Sequence, residues 1–315
     1  MKKVLFTLSL LMTLFLVAND SFAQGVTTSA LSGVIQDDKG SPLPGATVLA
    51  VHTTSGTQYG VATNVNGRFR LSNMRVGGPY TITISFVGFK NEERKGVFLA
   101  LGQTLNLTVK LKTDASTLNT VEVVARKDDV FDGNRTGIQT IINEQRINET
   151  PTVSRSLADF ARLEPTAALT EGSDGFSVSI AGQNNRYNAI YIDGAVNNDV
   201  FGLAGSGTNG GQTGVAPISI DAIEQFQVSV APFDVRQSGF AGGSINAVTR
   251  SGSNNIEGSA YWFARNQTMT GYSPIENNQE DSDRSALSPF TAQTYGFRLG
   301  GPIIKDKLFF FVSAE

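Results

Sequence analysis

The chain of 315 residues contains no cysteine and a single histidine, His52. The first absence excludes a thiol nucleophile, a disulfide framework and a cysteine-based zinc site. The second leaves a Ser-His-Asp triad or a histidine-rich metal centre almost nothing to be built from. His52 lies in the strand-like run GATVLAVHTT (45–54), where it reads as an ordinary strand residue, exposed or half-buried. Charge is scarce as well: Asp, Glu, Lys and Arg make up 17% of the chain, with a formal net charge of −3. No basic stripe interleaved with aromatics occurs, which argues against nucleic acid as a partner. No Gly-Lys-Ser/Thr occurs, so there is no phosphate-binding P-loop. After residue 18 no apolar run is long enough to cross a bilayer as a helix.

What is present begins with an export signal over 1–23. Lys2 and Lys3 supply the positive end, VLFTLSLLMTLFLVA (4–18) the apolar run, and Ser21-Phe22-Ala23 the small residues read by a signal peptidase. Cleavage is expected between Ala23 and Gln24. A single-pass anchor is the rival, for which this run is short.

The mature chain is rich in β-branched residues and has 20 Phe and 33 Gly. That mixture favours strands joined by many turns. Over 28–112, short strand runs recur between turn signals, the pattern of a β-sandwich. Tyr80, Ile82, Ile84 and Phe86 share one face by period two. Asn66-Gly67 is a hairpin-type turn pair, and KNEERKG (90–96) reads as a turn. Residues 113–136 form a polar connector holding one apolar run, Val121-Glu122-Val123-Val124. Over 137–252 the pattern is α+β. GIQTII is a strand, and Thr150-Pro151 is placed to open a helix with Val153, Leu157, Phe160 and Ala161 on one face. Four strands follow, around a glycine-rich loop at 202–214. Over 253–315 two-faced strands are joined by a long loop and then a short turn. On the first, Ile256, Gly258, Ala260 and Trp262 face one way, and Glu257, Ser259, Tyr261 and Arg265 the other. Tyr295, Phe297 and Leu299 alternate with Thr294, Gly296 and Arg298. This is the pattern of an outer-membrane β-barrel, with a soluble antiparallel meander as rival.

These motifs resemble known families. GSPLPGATVLAV followed by ATNVNGRFRLSNM resembles the carboxypeptidase regulatory-like domain, a transthyretin-like sandwich. VSIAGQNNRYNAIYIDG (178–194) and AIEQFQVSVAPFDVRQSGFAGGSINAVTRSGSN resemble the plug of a TonB-dependent outer-membrane receptor. YGFRLGGPIIKDKLFFFVSAE resembles the early barrel of the Oar-like branch of these receptors. The implied fold is mainly β: a sandwich, an α+β plug, and the first strands of an incomplete transmembrane β-barrel. The chain accordingly reads as the N-terminal portion of a longer receptor, because an open three-strand edge leaves backbone groups unpaired in lipid.

The resemblance also assigns roles. Thr120, Val121, Glu122, Val123 and Val124 resemble the TonB box, a β-prone run in a polar tether that pairs edge-on with a partner sheet. The rival is an extra edge strand of the sandwich. The implied partners are the TonB energy-transducing complex, outer-membrane lipid, and an extracellular oligosaccharide, peptide or chelated metal. No cofactor and no enzymatic step are implied, and the sandwich and tether belong in the periplasm. Gly239, Gly242 and Gly243 are expected where the plug packs against the barrel wall, with a Cβ excluded.

Other motifs carry less. Gly205 to Gly210 fits G-x-G-x-x-G but lacks the strand before and helix after that a dinucleotide site requires. Tyr59, Phe69, Tyr80 and Phe86 could stack on sugars or fill the sandwich core. The acidic run 276–284 lacks the spacing of a calcium loop. Asp193-Gly194 reads as a tight structural turn. The alternative to a receptor is a secreted carbohydrate- or protein-binding module, or a surface adhesin, without transport.

Overall fold

The computed structural model describes residues 26–113, 139–152, 155–172, 175–211, 216–230, 240–270 and 288–315. No helix among them is long and apolar enough to cross a membrane.

The first unit is a sandwich of seven strands: β1 (Thr28–Asp37), β2 (Thr47–His52), β3 (Gln58–Ala62), β4 (Arg68–Arg75), β5 (Gly77–Ser85), β6 (Glu92–Leu99) and β7 (Thr104–Leu111). One sheet runs β4-β1-β7, with β1 and β7 parallel, and the other β3-β2-β5-β6. Period-two alternation on β5 buries Tyr80, Ile82 and Ile84 against Leu31, Ile35, Val48 and Ala50. Phe86 lies just past the strand and packs at the edge of that core. Tyr59 does the same, and Phe69 is inside it, so all four candidate sugar-stacking aromatics serve the core.

Three expectations are corrected here. The charged run after Phe89 is not a turn: 92–99 is strand β6, at the outer end of its sheet. A run of four charged residues, Glu92 to Lys95, suits an edge strand, where it discourages pairing with other chains. Asn66-Gly67 does form a tight turn, with Gly67 at φ +67°. It joins β3 to β4, however, which belong to different sheets, so no hairpin ladder forms. His52 is neither exposed nor half-buried but 1% exposed. Its Nδ1 lies 2.7 Å from Ser55 Oγ, and its ring meets Tyr80 edge-on at 4.9 Å.

Burial, aided by the Arg75 charge, lowers the His52 pKa to about 4. The unfolded chain, with His near 6.5, therefore binds more protons than the fold between these values. Stability is complete above about pH 6.5 and is lost as pH falls toward 4, by roughly 3 kcal/mol from this group. Urea unfolding of the isolated sandwich at pH 7 and pH 4.5 should show that loss. His52→Gln should flatten the slope.

The middle unit centres on a five-stranded sheet, β12-β11-β14-β13-β8. Its strands are β8 (Gln139–Asn143), β11 (Ala189–Ile192), β12 (Ala195–Val196), β13 (Ile223–Ser229) and β14 (Ser244–Thr249). A separate hairpin pairs β9 (Ala167–Gly172) with β10 (Gly175–Ile180). The expected helix start at Thr150 is corrected. Helix α1 is Glu144–Glu149, capped by Asn143, whose side chain accepts from Arg146 N, and Thr150 closes it. A second helix, α2 (Leu157–Ala161), follows Ser156, and Val153 lies outside the described residues. Helix α1 buries only Ile147, too little to print a 3.6-residue period on the sequence. Phe160, Phe226, Val228, Ile245 and Ala247 close the apolar face of the sheet.

The last unit is a three-stranded antiparallel sheet: β15 (Glu257–Asn266), β16 (Thr291–Ile304) and β17 (Leu308–Ala314). Trp262 stands opposite Tyr295, and Leu299 opposite Val312. These four and Phe297 form one exposed apolar face. Tyr261, Arg298 and Gly300 lie on the other, which meets the middle unit.

Candidate functional site

Several sequence-predicted residues lie outside the described residues: Ala23 and Gln24, the run Thr120 to Val124, Gly239, and the acidic stretch 276–284. The others can be placed. Asp193 (φ +49°) and Gly194 (φ +82°) form the turn of the β11–β12 hairpin, both in the left-handed region a primed turn requires. The Asp193 carboxylate accepts from Thr249 N (2.8 Å) and Thr249 Oγ1 (2.7 Å), tying the turn to β14. The glycine-rich segment at 205–210 forms turns, bridged through Thr208 to Asn198.

Gly242 and Gly243 are tightly packed, but the atoms around them belong to the middle unit itself. A Cβ on Gly243 would lie 2.4 Å from Ile180 Cγ2, and one on Gly242 2.4 Å from Asn188 Oδ1. The glycine that meets the last sheet is Gly252, where a Cβ would approach Phe310 O to 2.4 Å and Gly301 O to 2.8 Å. Asn188, which sequence reasoning passed over, joins these pieces. Its Oδ1 accepts from Gly243 N (3.0 Å), its Nδ2 donates to Val178 O (2.7 Å), and its carbonyl accepts from Asn198 Nδ2 (2.8 Å). Nothing in NNRYN distinguishes this asparagine from its neighbours before the chain folds.

The seam between the middle unit and the last sheet is organised by Arg155. Its guanidinium lies 4.3 Å from the ring centre of Tyr261 and 4.7 Å from that of Phe263, both on β15. Its Nη2 also pairs with Asp221 at 3.0 Å. Arg155 has φ +52°, an uncommon conformation for a residue with a side chain, and these contacts hold it there. Nearby, Arg250 pairs with Glu144 at 2.6 Å, and Arg298 on β16 approaches the same carboxylate at 3.9 Å.

The sandwich joins the same region. Tyr80 Oη donates to Arg75 O (2.8 Å), and Arg75 N donates to Tyr59 Oη (3.2 Å). Two core tyrosines thus fix the backbone from which Arg75 reaches Glu224 on β13, at 3.1 Å. Burial pushes the Glu224 carboxyl above its usual range, against the pull of Arg75. Arg75, Glu224, Arg250, Glu144, Arg298 and Glu257 line a cleft of about 160 Å³ where the three units meet. Three arginines and three glutamates cancel formally, so this geometry serves to hold parts together through pairs rather than to attract a charged ligand.

Residues 30–112 match the carboxypeptidase regulatory-like domain, 134–245 the TonB-dependent receptor plug domain, and 248–315 an outer membrane beta barrel domain. The chain is 28% identical over 309 residues to the TonB-dependent transporter Oar of Myxococcus xanthus, covering 94% of this chain and 27% of that protein. It is 32% identical over 105 residues to the TonB-dependent receptor SusC of Bacteroides thetaiotaomicron, covering 33% of this chain and 9% of the other. The crystal structure of the siderophore receptor PirA from Acinetobacter baumannii matches at 24% identity over 56% of this chain and 24% of that one, with a TM-score of 0.40, too slight a likeness to add to the assignment. The chain spans about a quarter of the first relative's length. Regulatory-like, plug and outer-membrane barrel domains thus follow one another along this polypeptide, the domain order of a TonB-dependent receptor of the outer membrane.

Proposed function

We propose that this chain supplies the periplasmic sandwich (28–112), tether (113–136), plug (137–252) and opening barrel strands (253–315) of a receptor that imports a large extracellular substrate. The energy comes from a TonB complex acting on the tether through Thr120 to Val124. The observation that carries this reading is the seam. Arg155 of the plug stacks on Tyr261 and Phe263, which lie on the inward face of β15, while Trp262 between them faces outward. One strand thus carries aromatics against the plug on one side and an exposed tryptophan on the other, which supports a barrel wall over a soluble meander. Binding and gated passage make and break no covalent bond in this reading.

Single cysteines along β15 test it, because the chain has none of its own. In the intact protein in outer-membrane vesicles, Ala260→Cys, Trp262→Cys and Ala264→Cys should react with a lipid-soluble maleimide and resist a charged one. Ser259→Cys should show the reverse preference. Equal reaction of both faces with the charged reagent would instead establish a water-exposed sheet.

A further inference from the structure

The plug sheet has two faces of opposite chemistry. Phe226, Val228, Ile245 and Ala247 point into the plug core. Gln225, Gln227 and Asn246 point the other way, yet are only 5%, 4% and 1% exposed. These are residue types that water satisfies, and the regulatory-like sandwich lies against them. Leu101 N donates to Gln225 Oε1 (3.0 Å), and Asn246 Nδ2 donates to the carbonyl of Val26. A Cβ on Gly102 would come within 3.3 Å of Gln227 Oε1. The apolar share of this interface is small: Val26, Val76 and Leu101 against Val248. Among the described residues, Gln227 Oε1 and Asn246 Oδ1 end with no hydrogen-bond partner.

Such a surface separates readily. Water replaces its amide hydrogen bonds and satisfies the two orphan oxygens, so little is lost beyond a few apolar contacts and one ion pair. The sandwich core and the plug core each close without it. The sandwich also touches a second body. Asn254 N donates to Thr54 O (2.8 Å), Asn254 Nδ2 donates to Asp306 Oδ1 (2.7 Å), and Gly56 lies against Asp306 in the β16–β17 turn. It therefore lies across the junction of plug and barrel sheet.

We infer that the sandwich is a releasable strap: docked, it ties the plug to the barrel's short-turn side, and the plug shifts only after the sandwich lets go. This rests on the reading of the middle unit as a plug that moves during transport. The occupant of the plug's polar face at rest is then the chain's own first domain.

The test uses the cysteine-free background in the intact receptor in cells. Gln227→Cys reports on the covered face through its rate of labelling by a small water-soluble maleimide. Labelling should be slow at rest and at least about tenfold faster when Arg75→Glu sets two like charges together. The reversed pair, Arg75→Glu with Glu224→Arg, should restore protection. Energised cells should label faster than cells treated with a protonophore. Prior oxidation of Thr54→Cys with Asn254→Cys, whose backbones already share a hydrogen bond, should abolish that difference. Fast labelling at rest that ignores these changes means the sandwich is not docked. Slow labelling unmoved by Arg75→Glu and by energisation means a permanent joint. Either result overturns the strap. A mistaken plug reading shows itself separately, as TonB binding that ignores the proposed box.

Discussion

Gly243→Val is expected to abolish assembly of the plug. Gly243 is held from both sides: its N–H donates to Asn188 Oδ1 (3.0 Å) and its carbonyl accepts from Ala189 N (3.0 Å). The backbone therefore cannot retreat. An added Cβ would meet Ile180 at Cγ2 (2.4 Å), Cδ1 (2.7 Å) and Cβ (2.9 Å). The last of these is fixed to a strand, and a rotamer change of Ile180 does not relieve it. Ile180 is itself completely buried in the plug core, so its displacement propagates to Phe160 and Ile245. Overpacking at such a site costs about 3 kcal/mol or more, a large part of a domain's stability. Protease digestion of the receptor in outer-membrane vesicles should show the sandwich and barrel bands persisting while the plug is cut. Gly60→Ala is the control: a Cβ there has only Leu49 Cδ1 at 3.8 Å, and the change should leave the pattern intact. An uncut plug in Gly243→Val would mean that β14 enters the sheet by another path.

The strands were legible where burial follows period two. Tyr80, Ile82 and Ile84 on β5, and Trp262 with Tyr295 across β15 and β16, could be placed on their faces from alternation alone. Legibility failed where tertiary context decides. Strand β6 carries Glu92, Glu93, Arg94 and Lys95, which read as a turn until a sheet offers them its edge. His52 ends β2 with no sign in its neighbours that Tyr80 will cover it. Helix α1 buries only Ile147, too little for a helical period, and the Asn143 cap is one polar residue among many, whereas the face of Leu157, Phe160 and Ala161 on α2 was legible.

The site was legible in kind more than in detail. The glycines were expected to face a barrel wall, but which surface they meet depends on the path of β10: at Gly243 it is Ile180 of the plug, and at Gly242 it is Asn188. Arg155 has no sequence signature, because its partners Asp221, Tyr261 and Phe263 are distant along the chain and meet only at the seam. The same holds for Arg75 and Glu224, which come from different domains.

The claim that the receptor is driven through its tether rests on a run of five residues, Thr120 to Val124. In edge-on pairing each alternate backbone N–H and C=O faces the partner strand, and side chains contribute less. Proline at position 123 removes one donor and forces φ away from the extended strand value, so it should be far more damaging than a side-chain change. The direct measurement is the affinity of a TonB C-terminal domain for the intact receptor and for two variants. The wild type and Val123→Thr should bind alike, and Val123→Pro should bind at least about tenfold more weakly. Equal affinity of all three would contradict the assignment of the box and, with it, the coupling of this plug to TonB through Thr120 to Val124.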